Sequence, residues 1–315
     1  MAAYGFLVLL AGAIVVFAAI LPSFAAPANV TVILQNVAIS ALMFLGLTFV
    51  VSSGSIDVSF MDVAALTTTL CALTIVSGGS WGLAIGIGLA VGVAVGLVNG
   101  LLVGVGGLPP LITTIAVAGL CRSVAWTLGG GGSIPLSAQP GPVHALLEWR
   151  LGPVPALAVG VAAVYAVAWY VQDRLTFGRY VYALAENERA VIEAGLPDKS
   201  LKVGVFVLSA LCGSLAGILL TAYVNSGQPG LGASYFLDGL TAVFLGAVVI
   251  RIGKPNVLGT LAAVTLLVVL VNAGAMLGWP NYLREMIKGG ILLCAVTLVL
   301  YVNRRSLPGW AQSGP

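Results

Sequence analysis

Residues 81–103 read WGLAIGIGLAVGVAVGLVNGLLV, an unbroken run without a single charged side chain. As a helix rising about 1.5 Å per residue it extends roughly 34 Å, enough to cross a hydrocarbon core about 30 Å thick. Working outward, comparable runs recur at 4–24, 30–51, 57–77, 108–128, 153–171, 203–225, 236–251, 256–278 and 283–303. With 81–103 they predict ten crossings. The whole composition agrees: 60% of the 315 residues are hydrophobic, 7% are charged and the mean hydropathy is +1.11, whereas soluble domains carry about a quarter charged residues. In a bilayer every backbone polar group must be satisfied internally, which leaves helices for runs of this kind. The expected fold is an all-α polytopic bundle, one transmembrane domain over 1–315. Segments 44–66 and 105–135 hold enough Gly, Pro and Ser to be broken or re-entrant. The run 4–24 is followed by Ala25-Ala26-Pro27-Ala28, small residues like those at a secretion-signal cleavage site. No Lys or Arg precedes it and it is long for such a signal, so it is read as the first span.

Several function classes lack their materials. The net charge is only +3, and the Lys and Arg residues form no stripe suited to a phosphate backbone, which argues against a nucleic-acid partner. Cys71, Cys121, Cys212 and Cys294 lie singly in apolar runs, without zinc or disulfide spacing, and read as packing residues. His144 is the sole histidine. Beside Pro142 and Glu148 it reads as a solvated loop residue, and no metal site or catalytic triad can be assembled around it. No G-x-x-x-x-G-K-S/T sequence occurs; Gly253-Lys254 runs into Pro255, and Gly129 to Ser133 reads as an extracytoplasmic loop. The expectation is no catalytic residue, no metal site and no cofactor of the chain's own.

Charge sets the orientation. The longest polar segment, 172–202, carries Arg174, Arg179, Arg189, Lys199 and Lys202, and the tail carries Arg304 and Arg305. The positive-inside rule places both in the cytoplasm. Four crossings separate them, so the Arg251–Lys254 turn is also inside, the Asn225–Tyr235 and Gly278–Tyr282 connections are outside, and both termini are cytoplasmic. Within 172–202 the stretch Tyr182 to Pro197 reads as a short helix, with Asn187 as N-cap, Gly195 as stop and Pro197 barring continuation. A capped helix in a cytoplasmic loop suits docking; the plainer reading is a solvated connector. Gly82, Gly86, Gly88, Gly92, Gly96, Gly100 and Gly104 give five small-xxx-small spacings, read as close helix packing in preference to a dimer interface.

Asp57, Asp62 and Asp238 are the acids nearest apolar segments, where an ionised carboxylate costs at least about 2.5 kcal/mol unless it finds a polar cavity or a partner. Asp57, among Ser52, Ser53, Gly54, Ser55 and Ser59, suggests a helix break that caps a helix or lines a path. Asn36, Asn99, Asn225, Asn272, Gln35 and Thr113 could bond a hydroxylated solute or a neighbouring helix. The candidates for a translocation path are Asn36, Gly54, Asp57, Ser59, Asn99, Thr113, Asp238 and Asn272. An ion-coupled secondary transporter using the three acids is the competing reading.

Ordered blocks of the chain resemble the ribose-type branch of ABC sugar permeases, a family that also contains permeases for other monosaccharides and for autoinducer-2. Asn187, Ala190, Ala194, Gly195 and Leu196 resemble its coupling-helix pattern N-x-x-A-x-x-x-A-G-I. Gly54 with Ile56-Asp57-Val58-Ser59 resembles G-G-I-D-L-S, and Leu108-Pro109-Pro110-Leu111-Ile112-Thr113-Thr114 resembles P-P-F-I-x-T. Gln228-Pro229, Gly232, Tyr235 and Leu237-Asp238-Gly239 are similar to its extracytoplasmic segment, Gly253 to Thr260 to its glycine-rich turn, and Asn272, Asn281-Tyr282 and Lys288-Gly289 to its closing pattern. The blocks span roughly residues 36 to 300. Departures are Ser55 for Gly, Phe60-Met61-Asp62 for Val-Gly-Ser, Phe236 for Glu and Ala247 for Gly. The resemblance implies a permease subunit in a bacterial inner membrane that imports a monosaccharide and binds no cofactor itself. It implies ATPase subunits that use ATP and Mg, a second permease copy or a paralogue, and an extracytoplasmic solute-binding protein. It also implies that Asn187, Glu188, Arg189, Ala190, Ala194 and Gly195 receive the motion of the ATPase.

Overall fold

The computed structural model describes residues 2–136 and 141–306. Twelve α-helices follow in chain order: α1 (Ala2–Ile20), α2 (Pro27–Ser52), α3 (Phe60–Val76), α4 (Trp81–Gly100), α5 (Pro110–Leu128), α6 (Pro142–Glu148), α7 (Ala156–Arg174), α8 (Thr176–Glu193), α9 (Asp198–Tyr223), α10 (Gly232–Val249), α11 (Val257–Met276) and α12 (Asn281–Ser306). Every predicted apolar run falls on one of them. Among the described residues six helices are long and apolar enough to cross a membrane: α2, α4 with the π-turn Leu101–Val105 that prolongs it, α5, α7, α9 and α11. Gly5–Ile20, Phe60–Val76 and Tyr235–Val249 are shorter apolar helices, and α12 carries Arg284, Glu285 and Lys288 in its first turns.

The re-entrant expectation narrows to two breaks. α2 runs unbroken to Ser52, and the interruption is confined to residues 53–59, where Ser53, Ser55, Asp57, Val58 and Ser59 are all buried. The second break is Gly106–Pro109, after which Pro110 opens α5 from its first turn, where a missing N–H costs nothing.

α9 is the hub, packed against α2, α3 and α4, and its packing explains the glycines. A methyl group added at Gly92, Gly96 or Gly100 would meet Ser214 Cβ at 2.8 Å, Val207 Cα at 2.6 Å or Val203 Cα at 2.8 Å, and at Gly104 it would meet Lys199 O at 3.0 Å. On the other flanks of α9, Gly217 lies against Ala64 O (2.6 Å) and Gly46 against Ser209 Cα. The stripe is therefore an internal seam, as the packing reading expects. Gly86 lies off it, with nothing within 4 Å of an added methyl.

Side-chain bonds sort the helix ends onto two faces. At one, Gln172 Nε2 donates to Ser52 Oγ (3.2 Å), Ser52 Oγ to Pro255 O (3.1 Å), and Val257 N to Gln172 Oε1 (2.8 Å). At the other, Thr31 Oγ1 donates to Pro153 O (3.0 Å) and Gln35 Nε2 to Leu147 O (2.9 Å). There too strand β1 (Ile134–Pro135) pairs antiparallel with β4 (Ser226–Gly227), while β2 (Arg150–Leu151) and β3 (Val154–Pro155) form a small hairpin. The ends at Ser52, Gln172 and Pro255 thus share one face, and those at Thr31, Gln35, Leu147 and Pro153 share another. His144 is not a solvated loop residue: it lies on α6, half-buried, with its ring edge-on to Trp81 at 5.2 Å. Cys71, Cys121 and Cys212 are buried and Cys294 is exposed; all four are free thiols.

Candidate functional site: a docking helix, a polar cavity and a buried cluster

The predicted docking helix is present and is half of a longer element. α8 is two helices meeting at Asn187, whose backbone is non-helical (φ −161°, ψ 92°). Asn187 Oδ1 accepts from Ala190 N at 3.1 Å, the N-cap expected of it. The second half ends as expected: Gly195 adopts φ +71°, and Leu196 N closes on Val191 O (3.1 Å). The helix begins earlier than expected: Thr176 to Val181 precede the stretch from Tyr182 that the sequence reading made helical. Its signal was the spacing of Val181, Leu184 and Val191, which the fold buries along one stripe while Glu188, Arg189 and Glu193 stay exposed.

α8 is tied to its neighbours on both sides. Glu188 pairs with Lys202 at the start of α9 and Glu186 with Lys254 in the α10–α11 turn; next to α8, Asp173 of α7 pairs with Arg251 (3.0 Å). Burial pushes the Tyr182 phenol above its usual pKa, and its hydroxyl donates to Pro255 O at 2.6 Å. Gly54, a path candidate, lies here: at φ +78° its open side faces Ala185, whose Cα would stand 3.1 Å from an added methyl.

Three other path candidates converge although they are far apart in sequence. Asn36 on α2, Asp238 on α10 and Asn272 on α11 line one cavity of about 430 Å³ together with Phe44, Tyr235, Glu285 and Lys288. That is within the usual range of small-molecule sites, about 300–1,000 Å³. Lys288, only 7% exposed, bridges Asp238 Oδ1 (2.6 Å) and Glu285 Oε1 (2.7 Å). Asn36 Nδ2 donates to the Tyr223 hydroxyl (3.0 Å), and Asn272 and Asn29 exchange two amide bonds of 3.0 and 3.1 Å. The cavity therefore presents amides, a phenol and one ammonium between two carboxylates, with the Phe44 and Tyr235 rings 6.3 Å apart on one side. Lys288 and Glu285 were missed as site residues because Asp238, the cavity acid that Lys288 pairs with, lies 50 positions away in sequence.

The remaining candidates lie elsewhere. Asp57, Ser59 and Asn99 are each 0% exposed and form a cluster in the core, apart from the cavity. Asp57 Oδ1 accepts from Ser59 N and Ser59 Oγ (both 2.7 Å) at the start of α3, and Asn99 Nδ2 donates to Ser59 Oγ (2.8 Å). Thr113 Oγ1 donates to Pro109 O (3.0 Å), closing the first turn of its own helix. Asp62 accepts a bidentate bond from Arg122 on α5, 2.9 Å to Nε and 2.8 Å to Nη2. Among the described residues no group of three His, Cys, Asp or Glu side chains could hold a metal ion.

A multi-span bundle with a polar cavity between helices and a capped helix docked across one face is the architecture of a membrane permease. The chain belongs to the family described as branched-chain amino acid transport system / permease component, which matches residues 29–296. It is similar to the ribose import permease protein RbsC of Bacillus subtilis, 37% identical over 88% of this chain and 86% of the relative. RbsC of Escherichia coli K12 is 32% identical, over 87% of this chain and 86% of its own length. The L-arabinose transport system permease protein AraH of the same organism is 29% identical, over 96% and 91%. No solved structure matches the chain. The chain is thus a multi-pass permease subunit of an ABC-type importer, and nothing in these similarities points to an ion-coupled carrier.

Proposed function

We propose that this subunit passes a monosaccharide of the ribose or arabinose kind through the cavity between α2, α10, α11 and α12, driven by separate ATPase subunits. The observation that carries the reading is the convergence of Asn36, Asp238, Asn272 and Lys288 on one cavity that also offers Phe44 and Tyr235. Hydroxyl groups of a sugar can be matched by amides and by a charged pair, and its C–H faces by aromatic rings. The names of the similar permeases supply the substrate class. In this reading α1, α3, α10 and α12 also cross the membrane, giving ten spans in a bacterial inner membrane with both termini cytoplasmic. The α8 segment from Asn187 to Gly195 receives the ATPase, which uses ATP and Mg. A second permease, by preference a second copy, completes the pore, and an extracytoplasmic binding protein delivers the sugar.

The α8 ties support that role mechanically. Through Lys254 and Pro255 the docking helix holds the turn between α10 and α11, two of the four helices around the cavity. The decisive experiment is reconstitution in proteoliposomes with the ATPase and the binding protein. Labelled ribose or arabinose is expected to accumulate only with internal ATP. If the chain alone concentrated a sugar under a sodium or proton gradient, the proposal would be wrong.

A further inference from the structure

A second cavity, of about 990 Å³, lies between α2, α7 and α9, apart from the polar one. Every side chain that lines it is hydrocarbon, the Cys212 thiol apart. Its main walls are helices long enough to cross a membrane, and it is open on one side, where Val164, Val167 and Leu215 are exposed. Water inside such a space would find no polar partner. The space belongs to the hydrocarbon phase, and its shape and charge narrow what fills it.

The lining runs from Gly160 to Val171 on α7 and from Leu208 to Leu219 on α9, a rise of roughly 16 Å on each helix. Spread over that length, 990 Å³ is a cross-section of about 60 Å², less than the roughly 80 Å² of a helix about 10 Å across. The groove is too narrow to take in a helix of a second copy and suits extended acyl chains. One end is charged. On α7 the lining residues Gly160, Val164, Val167 and Val171 recur every three or four positions, and the next position on that stripe is Arg174. Arg174 is exposed and forms no ion pair among the described residues, since the adjacent Asp173 is taken by Arg251. Beyond it the chain turns into α8, whose Phe177 ring lies 6.1 Å from that of the lining residue Phe49 and closes this end. A hydrocarbon slot that finishes at an unpaired guanidinium is complementary to an amphiphile with an acidic head.

We propose that the groove holds one anionic phospholipid, with its acyl chains between α7 and α9 and its phosphodiester on Arg174. Seated there, the lipid fills the gap between α7 and the hub helix and braces the segment that leads into the docking helix. It is a resident of the bundle, separate from the cavity assigned to the sugar.

The test uses the full chain purified in detergent and washed free of carried-over lipid. Its melting temperature is followed while dioleoyl phosphatidylglycerol or dioleoyl phosphatidylcholine is titrated into the micelles, and the lipid retained is counted by native mass spectrometry. Phosphatidylglycerol is expected to stabilise saturably with one molecule retained per chain, and phosphatidylcholine to need about fivefold more. Arg174→Gln should erase the difference between the two lipids. Gly160→Phe, at a position where an added methyl meets nothing within 4 Å, fills the groove and should weaken both lipids alike while the chain stays folded. Equal potency of the two lipids on the unaltered chain, or a preference that survives Arg174→Gln, would overturn the proposal. So would an efficient disulfide-linked dimer through Val167→Cys in a Cys294→Ser background, which gives the groove to a second copy.

Discussion

The seam between α4 and α9 and the cavity between α2, α10, α11 and α12 are built from opposite materials. Along the seam, glycines bring backbone against backbone, with added methyls at Gly92, Gly96 and Gly100 meeting α9 atoms at 2.6–2.8 Å. In the cavity, long and charged side chains hold the helices apart and leave about 430 Å³ open. A close-packed contact resists gradual deformation, whereas a contact made by ion pairs and amides can re-form around a solute. The difference teaches which part of the bundle behaves as a rigid body and which part has room to alternate.

The largest expected effect is in the seam. Gly96→Val forces the added carbons into Val207, an overpacking that costs about 3 kcal/mol, and should abolish the folded peak in size-exclusion chromatography. Gly86→Val on the same helix meets nothing within 4 Å and should run as wild type; equal damage from both would break the comparison. Next comes the cavity. Asp238→Asn deprives the nearly buried Lys288 of a charge partner, a loss of about 3 kcal/mol in thermal unfolding, with sugar uptake falling as well. The double variant Asp238→Leu with Lys288→Met should regain most of the stability without regaining uptake, which separates folding from transport. Gly195→Val faces open space and suffers only backbone strain, about 1–2 kcal/mol. It should leave membrane insertion intact while lowering sugar-stimulated ATP hydrolysis by the partner. Smallest is Lys254→Ala, whose ion pair with Glu186 is half exposed on both sides and worth less than about 1 kcal/mol. A modest, salt-sensitive drop in uptake is its expected signature.

The bundle was legible because its determinants are local. Each apolar run is long enough by itself to demand a helix, and the caps at Asn187 and Gly195 act within one or two turns. The first turns of α8, Thr176 to Val181, escaped because they belong to an amphipathic helix, so average hydropathy hides the stripe at Val181 and Leu184. The site was legible in part. Asn36, Asp238 and Asn272 stood out as polar residues in apolar surroundings, but that logic also selected Asp57, Ser59 and Asn99, which the fold gathers into its core. Polarity marks a residue that needs a partner without saying which. Pairings such as Asp238 with Lys288, or Asp62 with Arg122, depend on helices 50 and 60 positions apart meeting at the right height.

The π-turn at Leu101–Val105 gives the seam a longer reach than a regular helix could. Four residues of α-helix overshoot a full turn by about 40°, so a strict four-residue glycine rhythm precesses around its axis and would eventually point away from α9. The wider turn winds back part of that angle at the last step and keeps Gly104 against Lys199 and Val203. It acts as a phase corrector, and removing one residue there would throw the end of α4 nearest Lys199 out of mesh.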